Sequence, residues 1–226
     1  MASDDARARL RGLYAVTPES SDTPRLVALV EAALGGGAAL IQYRAKNAGE
    51  ALALEQARAL AAACRAAHVP LIVNDCVELA LAAGADGVHL GREDVDAKRA
   101  REKFPGGIIG VSCYSDPARA REAAHAGADY VAIGSVFASS TKPSATRAPL
   151  EMLRAAKQAS SLPVVAIGGI TAANARRVVE AGADMVAVIS AVFDSPDVRG
   201  AARDLARLFD DNLSGTDDVR TQPQAV

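Results

Sequence analysis

A (β/α)8 barrel of the TIM type, built as a single domain, is the fold this sequence predicts, and three observations predict it. Short apolar runs alternate with helical patterns eight times along the chain. Many of those runs are rich in β-branched residues with no wet face, as parallel strands covered on both sides are. Polar residues then gather at the C-terminal ends of the runs, which a barrel brings to one mouth, where active sites of this fold lie. An open doubly wound sheet is the alternative, but it rarely needs so even a count.

Residues 1–11 read as a charged lead-in, residues 12–212 as the barrel, and residues 213–226 as a polar, disordered tail containing Pro223. The first strand is expected at Gly12–Thr17 and its helix at Pro24–Leu34. The second strand, Ala39–Arg44, precedes a long helix from about Glu50 to Ala67. The third, Pro70–Asp75, leads to a helix over Val77–Ala83, and the fourth, Gly87–Gly91, to one over Val95–Phe104. The fifth, Ile108–Cys113, is followed by a helix at Pro117–Ala126. The sixth, Tyr130–Gly134, runs into a long polar loop before a helix at Leu150–Ser160. The seventh begins at Pro163 and ends at Gly168-Gly169, with a helical pattern from Ala172 to Gly182. The eighth is Met185–Ser190, and a last helix is expected near Val198–Phe209.

Ala-Gly-Ala-Asp recurs at Ala83–Asp86, Ala126–Asp129 and Ala181–Asp184, each time just before a strand. It fits a helix C-cap glycine and a repeated loop at the bottom of the barrel, a structural device. At the seventh strand, two glycines leave the backbone open to close approach by a ligand. Thr171 or Asn174 is expected to cap the helix that follows, whose free N–H groups attract an anion.

With 226 residues, half of them hydrophobic, the chain can bury one large core. Its net charge of −2 and lack of a long basic run argue against nucleic acid as the main partner. No run approaches the length of a membrane span and no secretory signal is legible, so neither membrane nor export is expected. Cys64, Cys76 and Cys113 stand singly, without metal-ligand spacing, which suits a reduced, cytoplasmic protein.

Alternation along the second strand puts Leu40, Gln42, Arg44 and, in an extended strand, Lys46 on one face, with Ile41 and Tyr43 on the other. Arg44 and Lys46 in one mouth repel each other unless an anion lies between them, and Lys142 adds a third cation. Together with Asp75 and Asp94, these residues suggest a polyanion held with a metal. Mg²⁺ takes one or two protein carboxylates and completes its shell with phosphate oxygens and water. Either aspartate alone reads first as a helix N-cap, and Asp94 stands just before a helical pattern. A second anion site is suggested by Gly169, Ser190 and the hydroxyl-rich Ser139-Ser140-Thr141, because loops after strands seven and eight often hold phosphate. His68 and His125 belong to helices, and His89 reads as a satisfied core histidine. No nucleophile–base pair stands out.

Taken together, Gln42–Lys46, Asn74-Asp75, Asp86–Gly91 with Asp94, Gly110–Ser112, Gly134–Lys142, Gly168–Ile170 and Val188–Ser190 resemble the thiamine-phosphate synthase family, across about Gly12 to Phe209. The resemblance implies a transferase that joins 4-amino-2-methyl-5-(diphosphooxymethyl)pyrimidine to 4-methyl-5-(2-phosphoethyl)thiazole, or its carboxylated form, and releases pyrophosphate. It implies that Gln42 contacts the pyrimidine, and that Arg44, Lys46, Asn74 and Lys142 hold the diphosphate with Ser112 near the reacting groups. Asp75 and Asp94 would ligate Mg²⁺, and Ser139, Ser140, Thr141, Gly169, Ile189 and Ser190 would hold the thiazole phosphate. The catalytic set is then Arg44, Lys46, Ser112 and Lys142. Partners are the two small-molecule substrates, and a homodimer is compatible with the resemblance. A thiazole tautomerase-like barrel or a non-catalytic phosphate-binding barrel is the alternative. Three positions depart from the family pattern: Ser139 stands for threonine, Arg92 for glutamine, and Tyr114-Ser115 for histidine or asparagine then threonine.

Overall fold

The strands close on themselves. In the computed structural model, which describes residues 10–138 and 146–210, eight parallel strands follow one another in chain order around a barrel. They are β1 (Gly12–Val16), β2 (Ala38–Tyr43), β3 (Leu71–Asn74), β4 (Gly87–Leu90), β5 (Ile108–Tyr114), β6 (Tyr130–Gly134), β7 (Val164–Ile167) and β8 (Met185–Val188). Pairing of Gly12 with Met185 and of Ala15 with Val188 joins the last strand to the first. The connecting helices are α1 (Thr23–Gly35), α2 (Glu50–Ala66), α3 (Val77–Ala83), α4 (Ala97–Lys103), α5 (Pro117–His125), α6 (Glu151–Ser160) and α7 (Ala175–Glu180). After β8 come a one-turn helix α8 (Ser190–Phe193), then α9 (Val198–Ala206) and a 3₁₀ turn at Arg207–Phe209. The proposed N-terminal lead-in and C-terminal tail fall almost wholly outside the described residues.

Alternation along each strand divides the apolar residues into two cores. Leu13, Ala15, Ile41, Tyr43, Leu71, Val73, Val88 and Val131 point outward, against the helices. Tyr14, Val16, Leu40, Ile72, Ile108, Tyr130, Val165 and Met185 fill the barrel. Both sets are buried, which is why the strands read as continuous apolar runs. The interior also needs small residues opposite large ones. A Cβ on Gly110 of β5 would lie 2.0 Å from the ring of Tyr130, so Gly110 makes room for that ring.

The repeated Ala-Gly-Ala-Asp has the structural role expected of it, with a detail added. Each aspartate reaches back to the start of an earlier strand. Asp86 accepts from the N–H of Leu71, Asp129 from that of Ile109, and Asp184 from that of Val164, at 2.8–2.9 Å. These carboxylates satisfy strand-end donors that no neighbouring strand can reach.

Several boundaries differ from the sequence reading. Helix α7 starts at Ala175 rather than Ala172, because residues 171–174 form a turn. Asn174 occupies the N-cap position, but its side chain makes no capping bond to the helix. Its Oδ1 accepts from Thr171 N–H at 2.9 Å and its Nδ2 donates to Gly169 O at 3.0 Å, so it fastens the glycine turn instead. Ser190 is not a strand residue but the first residue of α8.

Candidate active site

A cavity of about 470 Å³ opens at the C-terminal ends of the strands. Of the residues singled out from sequence, Gln42, Arg44, Asn74, Ser112, Gly169, Ile189 and Ser190 line it. Ser139, Ser140, Thr141 and Lys142 lie outside the described residues. A second cavity of about 370 Å³ sits at the opposite end, beside Gly12, Gly36 and Arg203, away from the polar strand ends.

The two glycines of the seventh strand end are used differently from the expectation. Both have positive φ, 104° at Gly168 and 63° at Gly169. A Cβ on Gly168 would fall 2.0 Å from Ser135 Oγ, and one on Gly169 would fall 2.1 Å from Ala138 O. What the missing side chains admit is the start of the loop after β6, which packs there through Phe137 N–H on Gly168 O. The glycines still line the cavity with their backbone.

Arg44 and Lys46 are held by Glu19. Its carboxylate accepts from Lys46 N–H at 2.8 Å and lies 3.8 Å from Arg44 Nη1. Thr17, buried at the end of β1, accepts from Arg44 N–H at 3.0 Å. The expected mutual repulsion of these two cations is therefore met by protein carboxylates. Arg44 faces Glu19, while Lys46 turns to Asp75, with 3.6 Å between Nζ and Oδ2, and does not line the cavity.

Neither Asp75 nor Asp94 is an N-cap. Cys76 caps α3 and Asp96 caps α4. The two carboxylates instead meet at the rim, between the ends of β3 and β4. Asp94 accepts from Gly91 N–H at 2.6 Å, and Asp75 stands in the left-handed region, φ 67°. Burial pushes the Asp75 carboxyl above the usual carboxylate range, the adjacent Asp94 pushes it further, and Lys46 opposes both. Two carboxylates so placed call for a proton or a cation between them. Among the described residues no cluster of three metal-ligating side chains exists.

Four residues of the site were not assigned to it from sequence: Tyr14, Tyr130, Tyr114 and His89. Gln42 Nε2 donates to Tyr14 OH at 2.7 Å, and Tyr14 OH lies 2.8 Å from Tyr130 OH. His89 bridges Tyr130 OH, 3.0 Å from Nδ1, and Ser112 Oγ, 2.9 Å from Nε2. His89 is thus buried and satisfied, as expected, yet it also lines the cavity. The inward alternation of Tyr14 with Val16 and of Tyr130 with Ala132 was the available signal. Tyr114 follows a register shift at the end of β5 and has φ 57°. Its ring lies under the Arg92 guanidinium at 4.7 Å. Two departures from the family pattern therefore pack on each other. Cys64 and Cys113 are buried, and burial pushes both thiols up to about 12, so neither offers a thiolate.

A closed parallel barrel with a polar cavity at the C-terminal ends of its strands, and a cation and carboxylate cluster at the rim, has the layout of an α/β-barrel enzyme. A family model described as thiamine monophosphate synthase matches residues 13–192. The chain belongs to the thiamine monophosphate synthase family. It is 56% identical over 203 residues to a thiamine-phosphate synthase of Aromatoleum aromaticum, covering 89% of this chain and 98% of that one. A thiamine-phosphate synthase of Bordetella pertussis is 52% identical over 208 residues, covering 89% and 96%. Among solved structures, thiamine phosphate pyrophosphorylase from Pyrococcus furiosus superposes with a TM-score of 0.82 at 42% identity, covering 92% of this chain and 98% of that one. A 3-hexulose-6-phosphate synthase, at 20% identity and TM-score 0.67, shares the fold.

Proposed function

We propose that the chain acts as a thiamine-phosphate synthase with its two substrates on opposite sides of the barrel mouth. The activity is that of its family, a transferase joining a pyrimidine diphosphate to a thiazole phosphate. The observation that carries the division is the asymmetry of the mouth. Arg44, Lys46, Asn74, Asp75 and Asp94 belong to the ends of β2, β3 and β4, whereas Gly169, Ile189 and Ser190 belong to those of β7 and β8.

Gln42, at the floor of the cavity, takes the pyrimidine edge; Arg44, Lys46, Asn74 and Lys142 take the diphosphate. Asp75 and Asp94 fit Mg²⁺, since an abutting carboxylate pair beside an anion site supplies the one or two protein ligands this ion uses. Bound there, Mg²⁺ supplies charge neutralisation on the diphosphate. The bond between the pyrimidine methylene carbon and the diphosphate oxygen breaks with both electrons on oxygen. The thiazole nitrogen then gives its lone pair to that carbon. No proton moves in the balance, so no protein nucleophile or general base is required, in keeping with the buried, protonated thiols of Cys64 and Cys113. Arg44, Lys46, Lys142 and Ser112 stabilise the charge growing on the leaving group. Ser139, Ser140, Thr141, Gly169, Ile189 and Ser190 hold the thiazole phosphate close to the carbon it attacks. The setting proposed is cytoplasmic, with small-molecule partners and a homodimer as a compatible assembly; among the described residues no helix is long and apolar enough to cross a membrane.

Release of pyrophosphate, measured with both substrates and Mg²⁺ present, tests the reading. Turnover is expected with Mg²⁺ and is lost on chelation. Saturable binding of both substrates without pyrophosphate release would leave only a binding barrel.

A further inference from the structure

Below the mouth, five side chains from five strands join in one file that crosses the barrel: Gln42 of β2, Tyr14 of β1, Tyr130 of β6, His89 of β4 and Ser112 of β5. Hydrogen counting gives the file a direction. The amide nitrogen of Gln42 can only donate, so the Tyr14 oxygen accepts and its single proton is turned to Tyr130. Tyr130, having accepted, turns its own proton to Nδ1 of His89. A ring nitrogen that accepts carries no hydrogen, so the imidazole proton sits on Nε2 and is given to Ser112 Oγ. Ser112 has then accepted inside the file, and its hydroxyl hydrogen is left for the cavity it lines.

Reversing one link breaks the rest. Were Nδ1 of His89 the protonated nitrogen, Tyr130 would give its proton to Tyr14. The Tyr14 oxygen would then receive two donors, with its own proton facing no acceptor in this file. Both phenols are fully buried, and burial pushes both well above the usual tyrosine range, so each keeps its single proton. Packing allows little rearrangement. Tyr14 meets Tyr130 edge to face at 86°, and His89 stacks on Tyr130 with ring centres 5.6 Å apart.

We propose that Tyr14, Tyr130 and His89 are positioning residues, forming a one-directional hydrogen-bond relay that couples the amide orientation of Gln42 to the hydroxyl orientation of Ser112. The consequence rests on the proposed function: the group expected to read the pyrimidine also determines that Ser112 approaches the departing diphosphate as a donor. Only a reversal of the whole file, begun by turning the Gln42 amide, makes Ser112 an acceptor from that anion's side. The relay is thus a device for having the donor in place before charge develops.

The direction can be read in the free protein. With histidine labelled in ¹⁵N, long-range correlations of the ring nitrogens report the tautomer. His89 is one of three histidines and is assigned by loss of its signals in His89→Gln. The expected state is Nε2–H, becoming a mixture in Tyr130→Phe, which removes the donor to Nδ1. An Nδ1–H tautomer in the unaltered protein overturns the relay whether or not the protein makes thiamine phosphate. Kinetics supply the second arm. Tyr130→Phe should lower kcat on the order of 10-fold, less than the loss of a direct transition-state donor, with both KM values nearly unchanged. His89→Gln, which keeps an amide donor for Ser112, should retain more kcat than His89→Leu. Wild-type kcat in Tyr130→Phe, or equal losses in the two His89 variants, would also overturn it. Absence of pyrophosphate release in the unaltered protein counts against the functional reading alone, since the tautomer still decides the relay.

Discussion

Replacing Asp75 by asparagine should make the protein more stable and much less active. Asp75 is about one-third exposed, with Asp94 on one side and Lys46 on the other. Its carboxyl is raised, first by burial and then by Asp94, so the fold disfavours its ionised form. The sign follows by linkage. Below the ordinary aspartate value near 4 the group is protonated in folded and unfolded chains alike, and it costs nothing. As pH rises through the raised value, the folded state must ionise a group it disfavours, and stability is lost. At neutral pH, removing the charge restores that stability. Two unit charges about 4 Å apart interact by about 1 kcal/mol in water-like surroundings. Losing the exposed Lys46 pair gives back a few tenths of that, since such pairs contribute about 0–1 kcal/mol. Asparagine also tolerates the left-handed backbone at φ 67°. A net gain of roughly 0.5–1 kcal/mol corresponds to a Tm rise of about 1–4 °C for a domain of this size. Alanine removes the same charge but is ill suited to that φ, by about 1–2 kcal/mol, and should show no gain. Turnover should fall by about 10²-fold or more in both variants, as for loss of a group that stabilises leaving-group charge. The assay is thermal melting in chelator at pH 7 and again at about pH 3, where the asparagine gain should vanish, alongside pyrophosphate release with Mg²⁺. A Tm several degrees below wild type in Asp75→Asn, or unimpaired turnover, would refute the reasoning.

Two further outcomes test the two ends of the barrel separately. Ser190→Ala should weaken binding of the thiazole phosphate by about 1 kcal/mol, seen as a KM raised several-fold with kcat nearly unchanged, because that phosphate's charge does not alter as the bond breaks. Asp184→Ala at the bottom should lower stability by about 1–3 kcal/mol in urea unfolding, because the buried N–H of Val164 loses its acceptor, while both KM values stay as they were.

Much of the mouth was legible because strand alternation is a one-dimensional rule. Gln42 and Arg44 line the cavity, and Ile41 and Tyr43 face the helices, as a period of two requires. The recurring Asp86, Asp129 and Asp184 were legible for a similar reason, since each acts on a neighbouring strand through a short, repeated loop. The fate of Asn174 was not. An asparagine before a helix reads as a cap, and only the geometry of the Gly168-Gly169 turn made its two neighbouring backbone groups the better partners. Likewise, nothing in a linear pattern says that Lys46 leaves the cavity for Asp75, or that Arg92 lies on Tyr114.

The sequence by itself determined the barrel, its strand order and which end of the strands carries chemistry, because those follow from local periodicity and from short connections between neighbours. Tertiary structure alone decided what crosses the barrel. Tyr14 and Tyr130 are 116 residues apart and sit on strands that do not pair, and His89 joins them from a third. Each reads singly as an ordinary core residue. Their hydroxyls and ring nitrogens meet only when eight strands close around one interior, since a buried polar group must then find its partner across that interior rather than along the chain.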